Sequence, residues 1–272
     1  MAYIVQSTDG NDGKIAVDEL IERRCNIRKA DIIGAWNLLR ELKILTPEQD
    51  DQDYRLTGIK EAKIPDFLII WMRKKTRVSP VGHRSVRVAA QVMALHGKVT
   101  NRVCGSIIWK ERKKMPAPKS RLPPARVSDL LQGKQFLQNF KVEEANPTHI
   151  QFRLDFKPPL QPGSIVDYGF YVWNRNYYSR SRSEAIQLYK DEWIREGLGV
   201  SGPAIEASIV VKLPVGYTYQ DCHLEKGTAP SVGGPASPGE ILPGLKHDEK
   251  TLSATLHEPS PGNYFVCWIP PE

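Results

Sequence analysis

From Phe140 onward the apolar residues fall at every second position, and that period suits a half-buried strand rather than a helix. Ile150, Phe152, Leu154 and Phe156 alternate with Gln151, Arg153, Asp155 and Lys157. "PPLQPG" then turns the chain, and Val166, Tyr168, Phe170 and Val172 alternate again. Ala207, Ile209, Val211 and Leu213 repeat the signature, as do Leu252, Ala254 and Leu256, and finally Tyr264, Val266 and Trp268. Short strands punctuated by turns, with little helix between them, predict an antiparallel β-sandwich over residues 140–272.

The N-terminal part has a different period. Ile15, Val17, Leu20, Ile21 and Ile27 fall near helical spacing, with Asp18, Glu19 and Glu22 on the polar side. Ile32, Ile33, Trp36, Leu39 and Leu42 mark a second amphipathic helix. Ile44 and Leu45 read as a short strand, Pro47 to Asp53 as a polar tip and Tyr54 to Leu56 as a return strand. Over roughly Ile15 to Thr57 this succession resembles a winged helix, which places residues 1–75 in a winged-helix-like domain. The fold class expected for the whole chain is therefore α+β.

A DNA-reading winged helix needs cations on its recognition helix and wing. Lys29, Asn37 and Arg40 are the candidates on the second helix, but the wing tip carries Glu48, Asp50, Asp51 and Asp53. Residues 1–60 hold 9 bases and 11 acids, so this unit has no electrostatic drive toward DNA. A protein-binding winged helix is preferred, its acidic tip a candidate partner for basic residues elsewhere.

Those basic residues are concentrated. The chain carries a net charge of +7, yet Arg73 to Arg126 alone holds 15 Lys or Arg against the single acid Glu111. The rest of the chain has 23 bases and 30 acids. Such a block is the electrostatic footprint of a surface that meets nucleic acid or an acidic protein. The candidate contact residues in its first half are Arg73, Lys74, Lys75, Arg77, Arg84 and Arg87. Those in its second half are Lys110, Arg112, Lys113, Lys114, Lys119, Arg121 and Arg126. Met115 to Pro124 contains four prolines, which remove backbone donors and read as an extended arm open to a protease. Residues 76–139 thus form a basic middle segment with a Pro-rich linker.

Asp66 to Lys75 suits a helix or a strand. Ser85 to His96 is ambiguous: Val86, Val88, Ala90, Val92 and Ala94 alternate, but Ala, Gln, Met and Leu favour a helix ended by Gly97, and helix is preferred over a hairpin turning at His96-Gly97. "VSDLLQGKQFLQNF" reads as a short helix capped by Ser128. Asp191, Glu192 and Glu196 read as the solvated side of a helix around Trp193 and Ile194.

Catalytic motifs are missing. The sequence contains no GxxxxGK[ST], HExxH or GxSxG, and no GxGxxG that follows a strand read from the sequence, so no cofactor is expected. Cys25, Cys104, Cys222 and Cys267 form no CxxC pair and are read as reduced thiols, with a Cys222–Cys267 disulfide left open. Asp221, Cys222 and His223 are neighbours, but adjacent strand residues face opposite ways, so no metal site is read there. Cys25 has no identifiable His partner for nucleophilic catalysis. In "YGFYVWNRNYYSRSR" aromatics interleave with Arg175, Arg180 and Arg182, a pattern that suits stacking on bases, although Tyr168, Phe170 and Val172 fit the inward side of a strand. The longest apolar run, Phe67 to Met72, is too short to span a bilayer, and no secretory signal is seen, so a cytoplasmic location and no membrane partner are expected.

"LDFKPPLQPGSIVDYGFYVW", "ASIVVKLPVGY" and "LSATLHEPSPGNYFVCWIPPE" resemble the C-terminal immunoglobulin-like sandwich of prokaryotic conflict and antiviral-defence proteins. There a proline-turn strand pair comes early, a strand-Pro-x-Gly-aromatic element lies in the middle, and a hairpin like Pro259, Gly262, Tyr264 and Trp268 closes the chain. The resemblance implies an interaction module in a bacterial defence or stress setting. The function expected is a non-enzymatic accessory or regulatory protein that contacts a partner protein, such as a protease or other effector, and serves as a target for its cleavage. The alternative is a winged-helix DNA-binding regulator that uses the basic segment for backbone contacts.

Overall fold

The computed structural model describes residues 14–16, 45–47, 53–56, 65–95, 98–107, 119–129, 133–145, 149–228 and 239–272. In chain order the strands begin with β1 (Lys14–Ala16), β2 (Leu45–Pro47), β3 (Asp53–Leu56), β4 (Phe67–Val78), β5 (Arg84–Ala94) and β6 (Val99–Ile107). They continue with β7 (Lys119–Arg121), β8 (Ala125–Asp129), β9 (Lys134–Gln138), β10 (Phe140–Ala145), β11 (His149–Leu160) and β12 (Ser164–Asn174). After the helix α1 (Arg182–Tyr189) come β13 (Ile194–Val200), β14 (Ala204–Lys212), β15 (Cys222–Gly227), β16 (Glu240–Leu242), β17 (Lys246–His247), β18 (Thr251–His257) and β19 (Gly262–Trp268).

Among the described residues α1 is the one helix, so the fold is nearly all β and the α+β expectation is corrected. The winged-helix domain is withdrawn with it. Its second helix, the tip acids Glu48, Asp50 and Asp51 and the candidates Lys29, Asn37 and Arg40 lie outside the described residues, while Ile15 of the first helix reading falls in β1 and Asp53 of the tip in β3. What is described of that region is a three-stranded sheet in the order β1-β3-β2.

A nine-stranded sheet dominates, ordered β17-β18-β14-β4-β5-β12-β8-β9, with β7 also paired to β12. Its pairs are antiparallel except β14 with β4, which run parallel. Strands from residues 1–75, 76–139 and 140–272 all contribute to it. A four-stranded sheet, β13-β19-β15-β16, and a three-stranded one, β10-β11-β6, complete the described architecture. Val86, Ala90, Val92, Val166, Val172, Ile209 and Leu252 share one core with Phe152 and Leu154 of β11 and with Leu224, Val266 and Trp268 of the four-stranded sheet. Phe152 meets Phe170 at 5.1 Å between ring centroids, and Trp268 meets Tyr178 at 5.4 Å.

Three helix readings are corrected by the same physics. Ser85 to Ala94 belongs to β5, because Val86, Val88, Ala90 and Val92 are all buried on one side between β4 and β12. That burial outweighs the modest helix propensity of Ala, Gln and Met. The hairpin alternative is not formed either, since β6 pairs with β11. "VSDLLQGKQF" contributes β8 and β9, with Gly133 in the left-handed region between them. Ile194 to Val200 is β13, and Glu196 there is 1% exposed rather than solvated. The helix lies instead just before that stretch, at Arg182–Tyr189, where Ser181 accepts a hydrogen bond from the Glu184 N–H as its N-cap. Cys104, Cys222 and Cys267 are free thiols.

A basic face on the nine-stranded sheet

The site is built by strand parity. β4 alternates buried Met72, Lys74, Thr76 and Val78 with exposed Arg73, Lys75 and Arg77, so one strand sends its cations to both sides of the sheet. Cross-strand register then assembles the outward residues into rows. One row runs Lys246, Ser253, Val210, Lys75, Arg87, Tyr171, Arg121 over β17, β18, β14, β4, β5, β12 and β7. The adjacent row runs Thr251, Lys212, Arg77, Ser85, Trp173, Lys119. Neither row contains an acid. At about 4.8 Å between strands, the longer row spans about 29 Å.

The two further rows frame this face. Arg73 lies opposite Ala89 and Ser208, and Arg126 lies opposite Asp167 and Leu137. The acids facing outward on this sheet, Asp167 and Glu206, are confined to that last row, where Gln91 donates to Asp167 at 2.8 Å.

Electrostatically the arrangement is self-repelling. Lys75 stands directly opposite Arg87, and Lys212 opposite Arg77. Like charges in direct cross-strand register destabilise a sheet. Arg73, Lys75, Arg77, Arg87, Lys119, Arg121, Arg126, Lys212 and Lys246 are all exposed, and none has a carboxylate partner among the described residues. Some cations elsewhere on the molecule are paired: exposed Lys141 with Asp155 at 3.2 Å, and half-buried Arg153 with Glu143 and Asp155 and Arg182 with Glu192 and Glu272.

Two aromatic rings interrupt the cations. Tyr171 and Trp173 are half-buried outward residues of β12, flanked in register by Arg87 and Arg121 and by Ser85 and Lys119. The Tyr171 hydroxyl donates to Ser85 Oγ at 3.4 Å, and His83 packs edge-on to Trp173 at 5.4 Å. These contacts fix each ring's position without burying it.

Of the candidates read from the sequence, Arg73, Lys75, Arg77, Arg87, Lys119, Arg121 and Arg126 come together here. Lys110, Arg112, Lys113 and Lys114 lie outside the described residues. Lys74 and Arg84 are not on this face. They point into the core, where Arg84 holds Glu196 through two bonds of 2.9 and 2.6 Å and Lys74 pairs with the same carboxylate. Tyr178 donates its hydroxyl to Glu196, Lys74 donates to the Gly197 carbonyl, and the Arg84 guanidinium lies 4.3 Å from the Tyr177 ring centre. This cluster ties β4 and β5 to β13 and is structural. Burial pushes Lys74 down to about 8, with Arg84 adding to the effect and Glu196 opposing it. Burial alone would raise Glu196, but Arg84 and Lys74 hold it at about 2.

Sequence reasoning flagged the aromatic run that holds Tyr171 and Trp173 without singling those two out, and it missed Lys212 and Lys246. Within "YGFYVWN" the alternation itself marks Tyr171 and Trp173 as outward once Tyr168, Phe170 and Val172 are taken as inward. Lys212 and Lys246 carried no signal, because only the order β17-β18-β14-β4 brings them beside the basic block. Cys25 lies outside the described residues.

No protein-family model and no curated protein matches the chain. Among solved structures it is similar to a protease candidate from Parabacteroides distasonis, with a TM-score of 0.47 and 9% identity over 75% of this chain and 40% of that one. It is also similar to the M1 zinc metallopeptidase of Deinococcus radiodurans, E323A mutant, at 0.39 and 12% over 75% and 42%. Yeast LTA4 hydrolase follows at 0.37 and 9% over 75% and 28%. The chain spans less than half the length of each. Their names are those of peptidases or hydrolases, which lends nothing to a non-enzymatic accessory or regulatory protein, and that expectation is withdrawn; the winged-helix regulator is withdrawn with the nearly all-β fold. Among the described residues no helix is long and apolar enough to cross a membrane.

Proposed function

We propose that the basic face of the nine-stranded sheet binds single-stranded nucleic acid. The observation that carries this reading is the pair of acid-free rows in which Tyr171 and Trp173 alternate with Lys75, Arg87, Arg77, Lys119 and Arg121. Cations neutralise phosphates and release counterions, while exposed ring faces stack on unpaired bases; each stacked base contributes about 1–3 kcal/mol. A row of about 29 Å suits several nucleotides laid across the strands, in keeping with sites of about 4–16 nucleotides on other β platforms. The aromatics distinguish this surface from one shaped for an acidic protein, which needs the charges but no stacking platform.

Fluorescence anisotropy with a labelled 20-nucleotide single strand, the matching duplex and poly-glutamate, each at two salt concentrations, tests the proposal. The single strand is expected to bind tightest, with log K falling against log salt at a slope of about −0.7 for each phosphate neutralised. Trp173→Ala and Tyr171→Ala are each expected to weaken it about tenfold without changing that slope. Equal binding of poly-glutamate, or indifference to both aromatic substitutions, assigns the face to an acidic protein and overturns the proposal.

A further inference from the structure

A second constellation lies on the four-stranded sheet, where β13, β19 and β15 are neighbours. His223 and Arg195 both stand directly opposite Cys267, one from each side, and Glu225 follows His223 on the same face of β15. His223 Nε2 and Glu225 Oε2 are 3.4 Å apart, and the ligand atoms of His223, Glu225 and Cys267 all lie within 4.8 Å of one another. Cys267 is 0% exposed and Glu225 4%, while His223 is half-buried with its ring edge-on to Trp193 at 4.4 Å. One nitrogen, one oxygen and one sulfur donor therefore converge on a spot closed from below and open toward the imidazole.

The charges around this spot leave room for a cation. Arg195 is engaged by Asp191 through its Nη1, and its Nε sits 3.5 Å from Glu225 Oε1. That Nε is a buried donor without a hydrogen-bond acceptor. Glu225 Oε2, on the other side of the carboxylate, faces His223. Asp191, Glu225 and a Cys267 thiolate would leave two negative charges uncompensated by Arg195, which a divalent ion balances.

We propose that His223, Glu225 and Cys267 form a binding site for a divalent transition-metal ion of borderline softness, Zn2+ being the one that an N, O, S donor set with an open fourth position suits best. Donor atoms around tetrahedral zinc lie about 3.5 Å apart, given metal–ligand bonds of about 2.0–2.3 Å. The present arrangement reaches that spacing by small side-chain rotations, chiefly of half-buried His223. Binding is not a redox step. The Cys267 S–H bond breaks, its proton passes to solvent, and the thiolate electron pair forms the sulfur–metal bond.

Cobalt(II) reports this coordination directly. The full chain, kept reduced, is titrated with Co2+ alone while its near-ultraviolet and visible absorption are recorded. One equivalent is expected to produce a thiolate-to-cobalt charge-transfer band and the visible bands of four-coordinate cobalt, both abolished by added Zn2+. Cys267→Ser removes the charge-transfer band, and His223→Ala, at a half-buried position that tolerates truncation, weakens binding by at least about tenfold. Cys222→Ser, on the opposite face of β15, leaves the spectrum unchanged. Cobalt bound without the thiolate band, a band that survives Cys267→Ser, or affinity unaltered by His223→Ala overturns the site.

Discussion

Glu196 is 1% exposed and faces two cations, Lys74 and Arg84, so this buried cluster holds one more positive than negative charge at neutral pH. Removing the carboxylate strands both cations, and Glu196→Gln is expected to cost about 3–5 kcal/mol in urea unfolding. Its folded value of about 2 lies below the ordinary carboxyl value of 4.5, so its contribution is complete above about pH 4.5 and is lost as pH falls toward 2. Lys74 works in the other direction. With a folded value of about 8 against 10.5, it binds its proton more weakly in the native state, so stability is lowest below pH 8 and rises between pH 8 and 10.5 by about 3 kcal/mol. Lys74→Met keeps the Arg84–Glu196 pair and is expected to be neutral or stabilising at pH 7, and to flatten that rise in a thermal-melt series. This inward role was partly legible. Lys74 is in phase with Met72, Thr76 and Val78, which marks it as inward once β4 is a strand, whereas its anchor Glu196 is separated from it by more than a hundred residues of sequence.

At the scale of elements, the turn joining β4 to β5 shows how local chemistry sets the platform. Gly82 has φ +76, its N–H donates to the Ser79 carbonyl, and its own carbonyl accepts from the N–H groups of Tyr177 and Tyr178. A Cβ at this position would collide with the Tyr178 carbonyl oxygen. Gly82→Ala is therefore expected to lower stability by about 1–3 kcal/mol, read from the shift in urea midpoint at constant slope. The alternation in β11 and β12 was plain in sequence because each alternates without interruption against a core. In β5 the same alternation was masked by Ala, Gln and Met, whose helical preference costs little to override, and in β13 Glu196 and two glycines hid it. A short sequence window reports propensity; burial of one face of a strand paired along both edges decides the outcome.

At the scale of the whole molecule, the basic block and the sheet are one feature seen at two levels. The excess of 15 Lys or Arg over one acid was legible as a charge count, but not its division into an outward face and a buried pin, because parity acts residue by residue. The parallel pairing of β14 with β4 joins segments about 130 residues apart and left no local trace, so Lys212 entered the face unannounced. Such an array raises the energy of the free protein: Lys75 against Arg87 is repulsive, and the sheet keeps it. That tension separates binding from stability in one substitution. Lys75→Glu converts the repulsive pair into an attractive one with Arg87, and should raise unfolding stability by about 0.2–1 kcal/mol. The same change should weaken single-strand binding about tenfold and reduce the salt slope by about one unit. Thermal melts and anisotropy on one preparation read both quantities. A variant that gains stability while losing affinity is what a surface maintained for a polyanion requires; loss of both would mean that Lys75 serves the fold, and the face would lose its claim to a ligand.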